Sequence, residues 1–136
     1  MFITRRECFN AAHKLFKPEW SDARNYEVFG ACSNPNWHGH NYVLFVTVKG
    51  SPNVETGFVM NLKKLSQLIK THVTDKVDHK NLNLDVPFMK DILPSAENVA
   101  KAFWQQLSAP IEKEGCTLHC IRLQETENNS VEYFGE

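Results

Sequence analysis

The sequence predicts a single α+β domain in which an antiparallel sheet packs against two helices. Segments rich in β-branched and aromatic residues lie near both ends of the chain, and two segments with helical periodicity lie between them. The connections within each half are short enough for hairpins, which favours an antiparallel sheet over a βαβ arrangement. A length of 136 residues suits one domain, which we expect to span residues 1–136.

The first half of the chain predicts two long strands and one short strand. Phe2 to Ala12 forms the first, and Asn41 to Lys49 has the strongest strand pattern in the sequence. A short strand at Gly57 to Met60 follows. Phe16 to Asn36 shows no period, and compact domains usually keep irregular segments of this length for function. We therefore predict that this loop forms one wall of a functional site.

Two amphipathic helices follow, and both are expected on one face of the sheet. The first begins after an N-cap at Asn61, and its apolar stripe is Leu62, Leu65, Leu68, Ile69 and Val73. The second begins at Ser95, and Pro110 limits its end. The chain closes with predicted strands at Thr117 to Thr126 and Val131 to Phe134.

Composition argues against several classes of partner. The formal net charge is −1 and acidic and basic residues are interspersed. The chain therefore lacks the positive electrostatic field that binds nucleic acid. No segment approaches the roughly 20 apolar residues of a membrane span, and no apolar leader follows Met1, so we expect a cytoplasmic protein without a membrane partner. The cysteines are expected to be reduced thiols. Among them, Cys116 and Cys120 would point to one face of a strand about 13 Å apart, too far to share an ion.

Three histidines predict a metal site. In an extended segment His38 and His40 point to the same face, with Cα atoms about 6.5–7 Å apart. A His-x-His pair alone is equally well explained by two partly buried histidines that hydrogen-bond to the backbone. His13 follows the first strand, and antiparallel pairing of the two long strands would bring it beside this pair. Three neutral imidazoles without a fourth protein ligand describe an open, catalytic zinc site.

The residues alone leave the chemistry of three other positions open. Cys32 could be a fourth metal ligand or a nearby thiolate base. Asp78 could orient the imidazole of His79 for proton transfer, although composition favours a turn-capping Asp beside a solvent-facing His. Glu125 ends an apolar strand, where its carboxylate could accept paired N–H donors from a guanidine-like edge of a ligand or could simply face solvent.

Six blocks of the chain, in this order, resemble one family. That family comprises the 6-pyruvoyltetrahydropterin synthases and their bacterial relatives, the 6-carboxytetrahydropterin synthases of queuosine-precursor synthesis. The blocks are FNAAH at 9–13, CSNPNWHGHNY at 32–42, GFVMNL at 57–62, DHKNLN at 78–83, SAENVA at 95–100 and ETENN at 125–129. Together they are far more specific than any one of them.

The resemblance implies a tunnelling fold, in which a four-stranded antiparallel sheet with two helices on one face assembles into a barrel. It also implies a homo-oligomer, a trimer or a dimer of trimers, with sites between subunits, and zinc (Zn²⁺) as the cofactor. The roles it implies are metal binding for His13, His38 and His40, proton transfer for Cys32, Asp78 and His79, and pterin binding for Glu125 and Glu97.

The implied activity is a zinc-dependent lyase reaction on 7,8-dihydroneopterin triphosphate that eliminates triphosphate and forms 6-pyruvoyltetrahydropterin. The spacing between Cys32 and His38, together with Asn61, resembles the animal-like pyruvoyl enzymes. Trp37 stands where glycine is usual and Ser95 begins a block where threonine is common, so substrate selection stays open. The alternatives are a 6-carboxytetrahydropterin synthase that releases acetaldehyde and a non-catalytic zinc- or pterin-binding protein. A dihydroneopterin aldolase or epimerase needs no zinc, so the histidine trio counts against it.

Overall fold

The structure is a computed structural model that describes all 136 residues. One five-stranded sheet has the order β3-β1-β2-β4-β5. Its strands are β1 (Phe2–His13), β2 (His38–Lys49), β3 (Lys80–Asn81), β4 (Thr117–Gln124) and β5 (Ser130–Tyr133). The pairs β1–β2, β2–β4 and β4–β5 are antiparallel, whereas β3 pairs with β1 in parallel. The α+β class is confirmed, but the count of four strands is wrong because β3 adds a fifth at the edge.

The helices are α1 (Asp22–Phe29), α2 (Leu62–Ile69), α3 (Asp75–Val77) and α4 (Ala96–Glu112). A π-helical turn, Lys70–Thr74, joins α2 to α3, so one helical segment runs from residue 62 to residue 77. None of these helices combines the length and the apolar character that a membrane crossing requires.

The predicted N-cap at Asn61 is confirmed, and Ser95, the predicted start of the second helix, is the N-cap of α4. The Asn61 side chain accepts a hydrogen bond from the Lys63 N–H (2.9 Å), and the Ser95 hydroxyl accepts one from the Asn98 N–H (3.3 Å). The predicted end at Pro110 is wrong, since α4 continues to Glu112. A proline so close to a helix C-terminus removes only one backbone donor, which the last turn tolerates.

Two other sequence predictions are wrong. The segment from Phe16 to Asn36 is not irregular throughout, because it contains α1. Asn25 is the only buried residue of α1, so the helix has no apolar stripe for the sequence to show. Gly57 to Met60 is not a strand; it belongs to a turn in which the Asn53 N–H donates to the Phe58 carbonyl (2.8 Å) and Gly57 has a φ of +73°.

The core lies between one face of the sheet and the two predicted helices. Phe9 stacks on Tyr42 with ring centres 4.8 Å apart and meets Phe103 of α4 edge-on at 5.7 Å. Alternate residues of β2 from Tyr42 to Val48 are almost completely buried on this face. Because strand side chains alternate, His40 and His38 continue the same face beyond the core. The fold therefore sets these histidines at the end of the packed interior.

A β-bulge separates the two C-terminal cysteines. Leu118 pairs with Val48 but Cys120 pairs with Thr47, so β4 has one extra residue between them. Cys120 consequently lies on the face opposite Leu118, whereas Cys116 joins the core. The expectation that both thiols share one face is wrong. Burial raises the pKa of both thiols, as packing residues would show.

Candidate active site

Three histidines converge where β1 ends and β2 begins. His13 is the register partner of His38, and Ala11 is the partner of His40. One ligand nitrogen from each of the three rings lies within 4.8 Å of the others. Gly39 separates the two β2 histidines, and a Cβ there would come 3.1 Å from the Ala11 carbonyl oxygen. The glycine therefore lets the two backbones approach closely enough to bring the rings together.

A backbone carbonyl fixes the ring of His13. This side chain is 2% exposed, and its Nδ1 lies 2.8 Å from the Pro94 carbonyl oxygen. A carbonyl only accepts hydrogen bonds, so Nδ1 carries the hydrogen and the lone pair of Nε2 is left for a ligand. Burial lowers the pKa of both His13 and His38, which favours the neutral imidazoles that bind metals.

The trio fits a metal ion. His38 Nδ1 is buried and has no hydrogen-bond partner, the only such side-chain nitrogen or oxygen in the chain. Buried polar atoms are nearly always partnered, so an unpartnered ring nitrogen fits a residue that binds a metal. A cation among three imidazole nitrogens would satisfy the site, and the donor set suits zinc or another transition metal.

Glu125 lies beside the trio. Its Oε1 is 3.5 Å from His13 Nε2 and 3.8 Å from His40 Nε2, and the side chain is 22% exposed. Glu125 follows buried Leu123 by two residues and therefore continues the helix-facing side of β4. Burial first and the nearby Glu125 carboxylate second raise the pKa of Tyr42, so its hydroxyl stays protonated next to His13.

Four predicted site residues line one cavity of about 210 Å³. They are His13, Cys32, Glu97 and Glu125, which come from four separate segments of the chain. Cys32 lies exposed in a 3₁₀ turn, and its carbonyl accepts a hydrogen bond from the Leu15 N–H (2.8 Å). Glu97 lies in the first turn of α4. A thiol and two carboxylates thus line one cavity with His13, a set that can move protons and bind a cationic or N–H-rich ligand edge.

Asp78 and His79 form a pair elsewhere on the surface. Asp78 Oδ2 is 2.9 Å from His79 Nδ1, and Asp78 Oδ1 accepts a hydrogen bond from the Asn10 N–H (2.8 Å), which lowers the pKa of Asp78. The His79 side chain is 78% exposed. His79, together with His40 of the trio, lines a cavity of about 600 Å³ that shares no lining residue with the Cys32 cavity. His79 and Cys32 therefore line different cavities of the same chain.

Comparisons with known proteins identify the family. A family model described as 6-pyruvoyl tetrahydropterin synthase matches residues 2–136. The chain belongs to the 6-pyruvoyl tetrahydropterin synthase family. This confirms the resemblance found in the sequence. A Homo sapiens protein named 6-pyruvoyl tetrahydrobiopterin synthase is 41% identical over 98% of this chain and 91% of its own length.

Two other relatives cover the chain differently. The structure of Caenorhabditis elegans 6-pyruvoyl tetrahydropterin synthase has a TM-score of 0.92 and 38% identity over 100% of this chain and 96% of its own. A Bacillus subtilis protein named 6-carboxy-5,6,7,8-tetrahydropterin synthase is 34% identical, but over only 63% of this chain and 57% of its own length. The whole-chain likeness is thus to synthases named for the pyruvoyl product.

Sequence reasoning missed three features of this family member's site. Tyr42 follows His40 by two residues, and the strand period alone could have placed its hydroxyl near the trio. The Pro94 carbonyl contact left no sequence signal. Trp37 has a φ of +67°, a left-handed conformation that costs a bulky residue about 1–3 kcal/mol. Its ring centre lies 4.7 Å from Lys14 Nζ.

Proposed function

We propose that this protein is a zinc-dependent lyase that converts 7,8-dihydroneopterin triphosphate into 6-pyruvoyltetrahydropterin and triphosphate. The observation that carries this proposal is the histidine trio, one member of which shares a cavity with Cys32, Glu97 and Glu125. The full-length likeness to proteins named 6-pyruvoyl tetrahydrobiopterin synthase supports the choice of reaction.

His13, His38 and His40 would hold the zinc ion. Three neutral imidazoles leave a coordination position for an oxygen of the substrate, as in catalytic rather than structural zinc sites. When bound, zinc supplies Lewis acidity, which polarises a side-chain oxygen and makes the neighbouring C–H more acidic. The Pro94 carbonyl holds His13 in the tautomer that this role requires.

Glu125 and Glu97 would bind the pterin. The amino-pyrimidine edge of a pterin presents paired N–H donors, and a carboxylate accepts both in a bidentate arrangement. Neither Glu125 contact with the histidines is a short hydrogen bond, so the carboxylate keeps acceptor capacity for a ligand. Its position next to the trio would place the pterin side chain toward the three rings.

Cys32 and the Asp78–His79 pair would transfer protons. A Cys32 thiolate would accept the carbon-bound proton, since its side chain faces the cavity. His79 would exchange a second proton through Nε2, because Asp78 occupies Nδ1. We propose that His79 comes from a neighbouring copy in a trimer or a dimer of trimers, which would explain why the exposed His79 lines a cavity other than that of Cys32.

The alternative is the carboxy-forming reaction with release of acetaldehyde. The Bacillus subtilis relative favours it, but that likeness covers a smaller part of the chain than the likeness to the pyruvoyl synthases. The two reactions start from the same substrate and differ in how its side chain is broken, so the mass of the product separates them.

The test is product analysis by mass spectrometry with measurement of bound metal. We expect a pyruvoyl product, zinc in the purified protein, and a loss of turnover of about a hundredfold or more in Cys32→Ser with the metal retained. Cys8→Ser is the matched control, since Cys8 is an exposed thiol that does not line the cavity. A carboxylated pterin would establish the alternative. A protein without metal and without turnover would end the proposal.

A further inference from the structure

Lys14 is a cation that forms no ion pair. It directly follows His13, and its Nζ lies 4.5 Å from the ring centre of Phe16 and 4.7 Å from that of Trp37. No Asp or Glu oxygen lies within 4.0 Å of this nitrogen. Aromatic faces attract a cation without cancelling its charge. The ammonium group is thus held in place and still available to an anion.

Hydrogen bonds from Asn83 fix the backbone of Lys14, and the ring of Trp37 lies against its side chain. The Lys14 N–H donates to Asn83 Oδ1 (3.0 Å), and Asn83 Nδ2 donates to the Lys14 carbonyl (3.0 Å). Trp37 holds its ring against Lys14 while its backbone is left-handed, where glycine would be unstrained. Such strain at a residue adjoining His38 indicates that the ring has a function. The result is a preorganised cation one residue from the histidine trio.

A cavity of about 470 Å³ opens at this cation. Lys14, Lys17 and Trp37 line it, and Lys17 Nζ also lies over an aromatic ring, 4.7 Å from the centre of Trp20. Glu19 and Asp91 border the same cavity, but neither forms an ion pair with a lysine. The two lysines and two carboxylates balance in formal charge, but both ammonium groups are free of ion pairs and can bind an anionic group at this cavity.

We propose that Lys14 binds the triphosphate group of the substrate and that Trp37 is the positioning residue that holds Lys14 for this contact. The assignment to a substrate triphosphate rests on the proposed lyase function. The pterin end is expected at Glu125, in the cavity that contains His13 but neither Lys14 nor Trp37. The hydroxyl carbons would lie at the trio, and the phosphate chain continues from the next carbon toward the residues that adjoin His13 and His38.

The experiment compares substrate kinetics with calorimetric binding of inorganic triphosphate. In Lys14→Met we expect KM for 7,8-dihydroneopterin triphosphate and Kd for inorganic triphosphate each to rise about tenfold, with kcat within about twofold, because one charge-assisted contact is lost. Binding of neopterin, which has no phosphate, should not change. Lys101→Met is the matched control, since Lys101 also lies over an aromatic ring, that of Tyr133, but does not line the cavity.

Trp37 is tested by two replacements. Trp37→Gly should raise KM for the substrate and Kd for inorganic triphosphate about threefold each, because the aromatic ring is removed. It should not lower Tm, because glycine also relieves the backbone strain. Trp37→Phe should restore most of the loss, since it returns an aromatic face. A purely structural role for Trp37 would instead lower Tm and leave triphosphate binding unchanged, which would overturn its assignment.

The two proposals fail in different ways. Unchanged KM and unchanged triphosphate binding in Lys14→Met, in an enzyme that turns over normally, would overturn the Lys14 site and leave the lyase standing. Lys14-dependent binding of inorganic triphosphate in a protein that forms no pterin product would support the anion site while ending the lyase proposal.

Discussion

Two inactive variants should restore each other's activity if Cys32 and His79 act together across a subunit boundary. In a single chain these residues border cavities without a common lining residue, and the His79 side chain is largely exposed. In Cys32→Ser every site would lack the thiol, and in His79→Ala every site would lack the imidazole. A mixed oligomer would then contain some sites in which both contributions are intact.

The expected recovery follows from counting. In a cyclic oligomer each site would take Cys32 from one chain and His79 from its neighbour, and in a random one-to-one mixture each is intact in half of the cases. About one quarter of all sites would therefore be complete, and about one third in trimers selected for containing both variants, with the same fraction of the wild-type rate. If both residues had to come from the same chain, no site would be complete, since neither variant carries both.

The assay is pterin product formed per minute after the two variants are co-expressed with different tags and the doubly tagged oligomer is isolated. The control is Cys32→Ser combined with a chain that carries both replacements, where no site regains Cys32. Activity at the background level in a doubly tagged oligomer of the first kind would refute the shared site, because such an oligomer has every opportunity to form it.

Three further predictions concern stability and the metal. Glu7→Gln should destabilise the fold at pH 7 by about 1–2 kcal/mol in urea unfolding, because Ser66 and Arg5 donate hydrogen bonds to this carboxylate. Burial would raise the pKa of Glu7, but these bonds lower it overall, so its contribution is present above the unfolded-state pKa and should disappear as the pH falls through the folded-state pKa. Phe103→Ala should lower the free energy of unfolding by about 3–5 kcal/mol without changing the urea m-value, since the ring is fully buried. Added zinc should raise Tm in the wild type but not in His38→Ala, as measured by differential scanning calorimetry.

The histidine trio was predictable because it depends on two local regularities. Side-chain alternation places His38 and His40 on one face, and a single antiparallel register brings His13 beside them. Both strands also carry strong β-branched and aromatic patterns, so their pairing could be inferred. Neither step required knowledge of the rest of the fold.

Elements that bury little left no such signal. The helix α1 buries only Asn25, and β3 consists of two residues that pair with β1 through the backbone. Sequence patterns report which side chains are buried, so a segment held by backbone and capping contacts passes unnoticed. The bulge in β4 also left no signal in the sequence. Its one extra residue inverts the alternation of side chains, which is why Cys120 lies on the face opposite Leu118.

The dyad marks a different limit. Adjacent residues can always meet in a loop, so the contact between Asp78 and His79 needed no fold to be foreseen. In the proposed shared site their position relative to Cys32 would depend on which surfaces of two chains meet, and that information is absent from the pattern of a single chain. For Trp37, the sequence shows a tryptophan where glycine is usual, next to the histidine pair. It does not show that the backbone of this residue is left-handed.

The start of α4 joins the core to the candidate metal site. Ser95 is the N-cap, and its carbonyl accepts the first helical hydrogen bond, from Val99. The carbonyl of Pro94, one residue earlier, lies outside the helical hydrogen-bond pattern and needs another donor where it is buried. His13 Nδ1 supplies that donor. The packing that begins the helix thus also sets the tautomer of His13, so one hydrogen bond would couple the position of the helix to the metal affinity of the candidate site.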